Sequence, residues 1–75
     1  MKIQIKDEVK LKKWLIRKGF SNTDLAKTLG VSKHHIGFIL KGTRSPSPSV
    51  AKQISDILEC DFNENFEIVE NQEKN

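Results

Sequence analysis

The apolar residues of the segment SNTDLAKTLGVSKHHIGFILKG recur with the spacing of two short helices rather than one long helix. Leu25 and Leu29 lie four positions apart and form one stripe with Ala26. A second stripe follows Gly30 and consists of Ile36, Ile39 and Leu40. Because glycine adopts the left-handed backbone conformation at little cost, the pattern predicts two helices joined by a tight turn at Gly30.

Serine residues stand where these helices, and a later one, are predicted to begin. Ser21 is followed three positions later by Asp24, which is the spacing of a capping box. Ser32 is the predicted N-cap of the second helix, and Ser47 with Pro48 predicts the start of a helix further along. Three helix starts are therefore predicted from local chemistry.

Two further helical patterns flank this pair. The first is opened by Asp7 and closed by Gly19, and its expected apolar positions are Val9, Leu11, Trp14, Leu15 and Ile16. The other follows Pro48, and its apolar side is expected to consist of Val50, Ala51, Ile54, Ile57 and Leu58. Four main helices are therefore predicted.

The two ends of the chain alternate apolar and polar residues, as half-buried strands do. Pairing KIQIK at the start with NFEIVE near the end in a two-stranded sheet would tie both ends together, and a final short helix is the alternative. The expected fold class is all-α. It is a compact single domain of four to five helices over residues 1–70, with that sheet as an addition and a flexible tail at 71–75.

The composition narrows the classes of protein that fit. A chain of 75 residues builds one small core, and it has no apolar run of about 18 residues that would span a bilayer. Its start has no apolar stretch of signal-peptide length. The single Cys60 cannot form an internal disulfide and is interpreted as a small buried residue, which fits a reducing compartment. A cytoplasmic protein without a membrane partner is expected.

The charges are divided unevenly along the chain. Residues 1–55 carry 12 Lys and Arg against 3 Asp and Glu, a net charge of +9. Residues 56–75 carry 1 Lys against 7 Asp and Glu, a net charge of −6, so the whole chain has +3. Such a split points to nucleic-acid binding by the basic part, although an uneven solvated surface gives the same pattern. The acidic segment 56–75 is a candidate surface for a protein partner.

A short helix, a tight glycine turn and a second short helix are the parts of a helix-turn-helix. The chain resembles the Cro/repressor-type (XRE-like) helix-turn-helix family over about residues 9–60, most clearly in DLAKTLGVS and ILKGTRSPS. Counted from Asn22, the small fifth and the glycine ninth residues of the motif are Ala26 and Gly30. Its apolar places are occupied by Leu25, Leu29, Val31, Ile36 and Ile39.

The resemblance implies a regulator that binds double-stranded DNA sequence-specifically, with the second helix in the major groove. The implied base-reading positions are Ser32, Lys33, His34, Gly37 and Phe38. The implied phosphate-binding positions are Asn22, Lys41, Thr43 and Arg44. A phage or mobile-element repressor of Cro type, in a bacterial or phage-infected cell, is expected. In the alternative interpretation the lysines are ordinary solvated side chains and Phe38 is a core residue.

Other functions are compatible with the pattern. One is the antitoxin of a toxin–antitoxin pair that represses its own genes, and another is a protein-binding module that keeps the fold without DNA affinity. A monomer is compatible with the pattern, and so is a homodimer that forms through the fourth helix, the residues Phe62 and Phe66, or the terminal strands. Adjacent His34 and His35 diverge by about 100° on a helix and the single Cys60 is far along the chain, so no metal is expected. No Gly-rich phosphate loop is present, and no other cofactor is expected. Nothing indicates a catalytic nucleophile, so an enzyme is not expected.

Overall fold

The computed structural model describes residues 1–70, and the tail expected at 71–75 lies outside them. Along the chain the elements are β1 (Lys2–Ile5), α1 (Glu8–Arg17), α2 (Asn22–Leu29), α3 (Lys33–Leu40), α4 (Pro48–Leu58), α5 (Phe62–Asn65) and β2 (Phe66–Val69). The expected all-α fold with a terminal strand pair is confirmed. Within the described residues, no helix is both long and apolar enough to cross a membrane.

An N-cap side chain begins each of the first four helices. Each cap accepts a hydrogen bond from the backbone N–H three residues further on, at 3.0–3.1 Å. Such a bond satisfies one of the amides that the first turn leaves unpaired and stabilises the helix by about 1 kcal/mol. The caps are Asp7, Ser21, Ser32 and Ser47, as predicted.

Gly30 forms the turn between α2 and α3. Its φ of 73° and ψ of 31° place it in the left-handed region, which costs a residue with a side chain about 1–2 kcal/mol and glycine very little. The N–H of Val31 donates to the carbonyl of Ala26 at 3.0 Å, so the end of α2 stays paired within the turn. The chain can therefore change direction and begin α3 at Lys33.

All the elements contribute to one apolar core. Its fully buried apolar side chains are Leu11 from α1, Leu25 from α2, Ile36 and Ile39 from α3, Ala51, Ile54 and Leu58 from α4, and Phe66 from β2. Leu29, Ile57 and Cys60 pack at the margin of this core and are partly buried. The apolar sides predicted for α2, α3 and α4 are therefore confirmed, and burial of each large side chain contributes about 1.5–3 kcal/mol.

The prediction for the apolar side of α1 is partly wrong. Leu11 and Leu15 are buried and Trp14 packs against the core, but Val9 is 63% exposed and Ile16 is 74% exposed. At about 100° per residue, Val9 and Ile16 fall on the side of the helix opposite Leu11. Apolar character alone overestimates the buried side, because this surface helix has only one side against the core.

β1 and β2 pair in antiparallel direction and join the two ends of the described chain. Ile5 lies opposite Phe66 and Ile3 lies opposite Ile68, so these four side chains share one face of the sheet. Phe66 is fully buried there, and its ring centroid lies 5.5 Å from that of Phe62. A strand therefore occupies most of NFEIVE, and the short helix α5 comes before it.

Replacing Gly30 with alanine is expected to lower the free energy of unfolding by about 1–2 kcal/mol, because a φ of +73° is strained for a residue with a Cβ. Gly37→Ala is the matched control. An added Cβ has open space at both glycines, and inside a helix alanine is favoured over glycine by about 1 kcal/mol. Urea unfolding followed by circular dichroism measures both changes. A Gly30→Ala variant as stable as the wild type would contradict the role assigned to this turn.

Candidate nucleic-acid interface

One side of α3 is buried and the other side is exposed. The buried residues are Ile36, Ile39 and Leu40. At about 100° per residue, the centre of the opposite side is occupied by His34, Phe38 and Lys41. Phe38 is 48% exposed, so its interpretation as a core residue is wrong. The helix therefore presents an aromatic and basic surface away from the core, called here the outer surface of α3.

The residues expected to read bases lie on this outer surface or at its start, and none of them is buried. They follow one another as Ser32, Lys33, His34, Gly37 and Phe38. The Oγ of Ser32 accepts from the backbone N–H of His35 at 3.0 Å, which leaves its hydroxyl hydrogen to donate outward. A Cβ added at Gly37 would meet no atom within 4 Å other than its chain neighbours and the backbone of its own helix, so no other element packs over α3 at this point.

The residues expected to bind phosphates lie at the start of α2 and just after the end of α3, and all are exposed. Asn22 is the first residue of α2, where the backbone N–H groups of the first turn point outward. Lys41 is the C-cap of α3. The loop that follows folds back, because the amides of Thr43 and Arg44 both donate to the carbonyl of Phe38, at 3.0 and 3.3 Å.

The positively charged side chains of α3 and of the loop that follows it form no ion pairs with carboxylates of the described residues. Among residues 1–70, Lys33, Lys41 and Arg44 have no carboxylate oxygen within 4.0 Å. The ion pairs of the described chain, at 2.7–3.6 Å, are Lys10–Glu64, Lys18–Glu59 and Lys52–Asp56. Asp56, Glu59 and Glu64 therefore pair with lysines of α1, of its C-cap and of α4, and none of the three pairs with a cation around α3.

The capping box at the start of α2 is complete. The carboxylate of Asp24 accepts from the backbone N–H of Ser21 at 3.1 Å and from its hydroxyl at 2.9 Å. These two bonds, with a smaller effect from the positive charge of Lys27, hold the pKa of Asp24 below its usual value. The ionised carboxylate thereby stabilises the first turn of α2, which carries Asn22.

His35 has a contact that the sequence does not predict. Its Nδ1 lies 3.3 Å from Nη1 of Arg44, nine positions further along the chain. No spacing rule connects a helix with a loop that folds back onto it, so only the adjacency of His35 to His34 is visible in the sequence. Within residues 1–70, no three His, Cys, Asp or Glu side chains are grouped so that they could hold a metal ion.

The chain is similar to known proteins over most of its length. A profile of the helix-turn-helix family matches residues 11–65. YqaF of Bacillus subtilis (strain 168), an uncharacterised HTH-type transcriptional regulator, is 35% identical over 68 residues, which cover 85% of this chain and 90% of YqaF. The crystal structure of a candidate DNA-binding protein from Bacteroides fragilis matches with a TM-score of 0.69 at 20% identity, over 87% of this chain and 98% of that one. The structural likeness shows the fold alone.

Asp24→Asn is expected to remove an acid-sensitive part of the stability. A carboxylate whose pKa is lowered by folding stabilises the native state above its unfolded-state pKa, near 3.8, and loses this contribution as the pH falls through the lower folded-state pKa. The advantage of the wild type over Asp24→Asn should therefore be full at neutral pH and should shrink as the pH falls below about 4. Urea unfolding at a series of pH values measures this difference.

The companion variant Ser21→Ala tests how much of the pKa shift of Asp24 comes from the hydroxyl of Ser21. It keeps Asp24 ionisable but removes the hydroxyl donor, so the acid-sensitive contribution should become smaller without vanishing. A difference between the wild type and Asp24→Asn that stays constant across the pH series would contradict the assigned pKa shift.

Proposed function

The chain belongs to the helix-turn-helix family, and on that premise we propose that it is a transcriptional regulator that binds double-stranded DNA sequence-specifically, with α3 in the major groove. The observation that carries the proposal is the outer surface of α3, which is exposed and has no carboxylate paired with its cations among residues 1–70. The major groove is wide enough to admit such a helix. α2 and the turn at Gly30 hold α3 in place on the core.

Side chains along α3 are proposed to read the edges of bases. Lys33 donates to O6 or N7 of guanine, and His34 donates or accepts according to its tautomer. Phe38, with half of its surface exposed, packs on the methyl group of thymine. Ser32 offers a hydroxyl hydrogen at the start of the helix, and the bare backbone at Gly37 lets DNA approach α3 closely.

Four residues around the helix pair are proposed to bind phosphates and so set the register of α3 in the groove. They are Asn22, Lys41, Thr43 and Arg44. Asn22 places its amide beside the N-terminus of α2, where unpaired N–H groups attract an anion. Thr43 and Arg44 are held beside α3 by the carbonyl of Phe38. Contacts of this kind release counterions, so the affinity should fall as the salt concentration rises.

The regulator is proposed to be a Cro-type repressor of a phage or mobile element that acts at the nucleoid by occupying its operator. The alternatives, an antitoxin and a protein-binding module, both depend on segment 56–75 as a docking surface. Three acidic residues of that segment, Asp56, Glu59 and Glu64, are each within ion-pair distance of a lysine of the same chain. Because these three carboxylates already have lysine partners in the chain, they are less available to a basic protein partner, which argues against a docking role for the segment.

A homodimer on an operator with two half-sites remains a prediction. Two copies on adjacent turns of the groove would place their α3 helices about 34 Å apart. Phe66 is fully buried in the monomer, so it is not available for a dimer contact. Phe62 is partly buried and Ile68 is 62% exposed, so apolar surface for a second copy remains around β2.

Selection from a random duplex library is expected to enrich one motif, because base edges are read by α3. Sequencing the bound fraction identifies the motif, and the affinity of the enriched duplex is then measured at two salt concentrations, where it should fall steeply with salt. Two inverted copies of the motif would identify a dimer. Binding without an enriched motif would contradict the base-reading roles, and no binding at low salt would contradict the DNA-binding proposal.

Removing three cations of the α3 region tests whether the location of charge matters. The triple variant replaces Lys33, Lys41 and Arg44 with alanine and should lose about a hundredfold or more in affinity, because base and phosphate contacts are lost together. The matched control removes the same charge from exposed lysines elsewhere, namely Lys6, Lys12 and Lys13. Fluorescence anisotropy with the enriched duplex compares them. An equal loss in both variants would mean that only net charge is sensed.

A further inference from the structure

The side chain of Arg44 reaches back along α3 to its first turn. Its Nη1 lies 3.3 Å from Nδ1 of His35, while its backbone N–H donates to the carbonyl of Phe38, also at 3.3 Å. The residue is therefore held at two points, one on the main chain and one at the guanidinium. The backbone bond fixes where the side chain of Arg44 begins, and the contact with His35 restricts its rotamers.

The direction of the hydrogen bond follows from the chemistry of the two groups. A guanidinium has five N–H donors and no acceptor, so Nδ1 of His35 has to accept. In this contact the proton of the imidazole lies on Nε2. The backbone of His35 is fixed as well, because its N–H donates to Oγ of Ser32 at 3.0 Å. Nδ1 of His35, the acceptor for Arg44, therefore belongs to the first turn of α3, which is capped by Ser32.

Arg44 needs its positive charge to bind a phosphate, and an imidazole acceptor leaves that charge in place. A carboxylate in place of His35 would orient Arg44 but would also neutralise it, whereas an imidazole leaves the full positive charge. Arg44 has no carboxylate within 4.0 Å in the part of the chain that the structure describes. One of its five donors is used by His35, and the remaining donors are enough for a bidentate contact with a phosphate.

We propose that His35 is a positioning residue that directs the guanidinium of Arg44 toward a DNA phosphate beside α3. The inference rests on the proposed function, because Arg44 is assigned to phosphate binding there. Its benefit is pre-organisation: the rotamers of Arg44 are restricted before binding, so less conformational entropy is lost when the phosphate is bound. His35 lies on the edge of α3 opposite Gly37, so it acts from beside the base-reading surface.

Three substitutions at His35 test whether the acceptor at the position of Nδ1, rather than the rest of the imidazole ring, is responsible for the effect on binding. Asparagine places Oδ1 at the same number of bonds from the backbone as Nδ1, whereas Oε1 of glutamine corresponds to the position of Nε2. Alanine has no acceptor. His35→Ala should therefore weaken binding to the enriched duplex about three- to tenfold, which is the effect of leaving one flexible side chain free. His35→Asn should recover most of that loss, and His35→Gln should recover little.

A double-mutant cycle with Arg44→Ala distinguishes positioning from a direct or purely structural role. Anisotropy with the enriched duplex and with a mixed-sequence duplex gives the affinities, and circular dichroism establishes that each variant is folded. Arg44→Ala alone should weaken binding and reduce the salt slope by about 1. In that background His35→Ala should cause no further loss, because its effect passes through Arg44.

The possible failures are distinct. A wild-type chain that binds neither duplex overturns the proposed function and this inference with it. Wild-type binding that Arg44→Ala leaves unchanged overturns the role of Arg44, and therefore the positioning by His35, without touching the DNA-binding proposal. Losses that add in the double variant, or a His35→Asn variant as weak as His35→Ala, overturn the positioning role alone.

Discussion

The arrangement of this protein depends on one constraint: two helices of eight residues each are too short to be stable in water, so each has to bury a side. The left-handed turn at Gly30 allows both to do so, because it ends α2 and lets α3 begin in a new direction. Leu25 and Ile36 then lie fully buried in the same core. Since burial occupies only the inner side of α3, its outer surface is exposed on a rigid support.

The electrostatic pattern complements this geometry. The sequence divides into a basic part and an acidic part. The fold brings Lys10 and Lys18 of the first against Glu64 and Glu59 of the second, whereas Lys52 and Asp56 pair locally within α4. Exposed ion pairs of this kind add little stability, about 0–1 kcal/mol each. Lys33, Lys41 and Arg44 have no ion-pair partner among the described residues, so the positive charge around α3 is not neutralised within the protein.

Burial was the least predictable property. Val9 and Ile16 are apolar, yet they lie on the solvent side of α1, and Phe38 projects from α3 although phenylalanine is usually buried. Cys60 is only partly buried. Whether an apolar side chain is covered depends on the neighbours that the fold supplies, and a surface helix has core on one side only. The candidate base-reading positions follow from the resemblance and from the helical period; the structure leaves them exposed or half-exposed, and their contacts with bases stay a prediction.

The division between local and tertiary information follows from the range of each interaction. N-caps, the capping box of Ser21 with Asp24, and the turn at Gly30 involve residues within a few positions of one another, so residue type and spacing were sufficient to predict them. The pairing of β1 with β2 was visible only as one of two alternatives, since its partners are more than sixty positions apart. The contact between His35 and Arg44 had no signal at all, because it forms only once the loop after α3 folds back onto the helix and brings an acceptor and a donor within 3.3 Å.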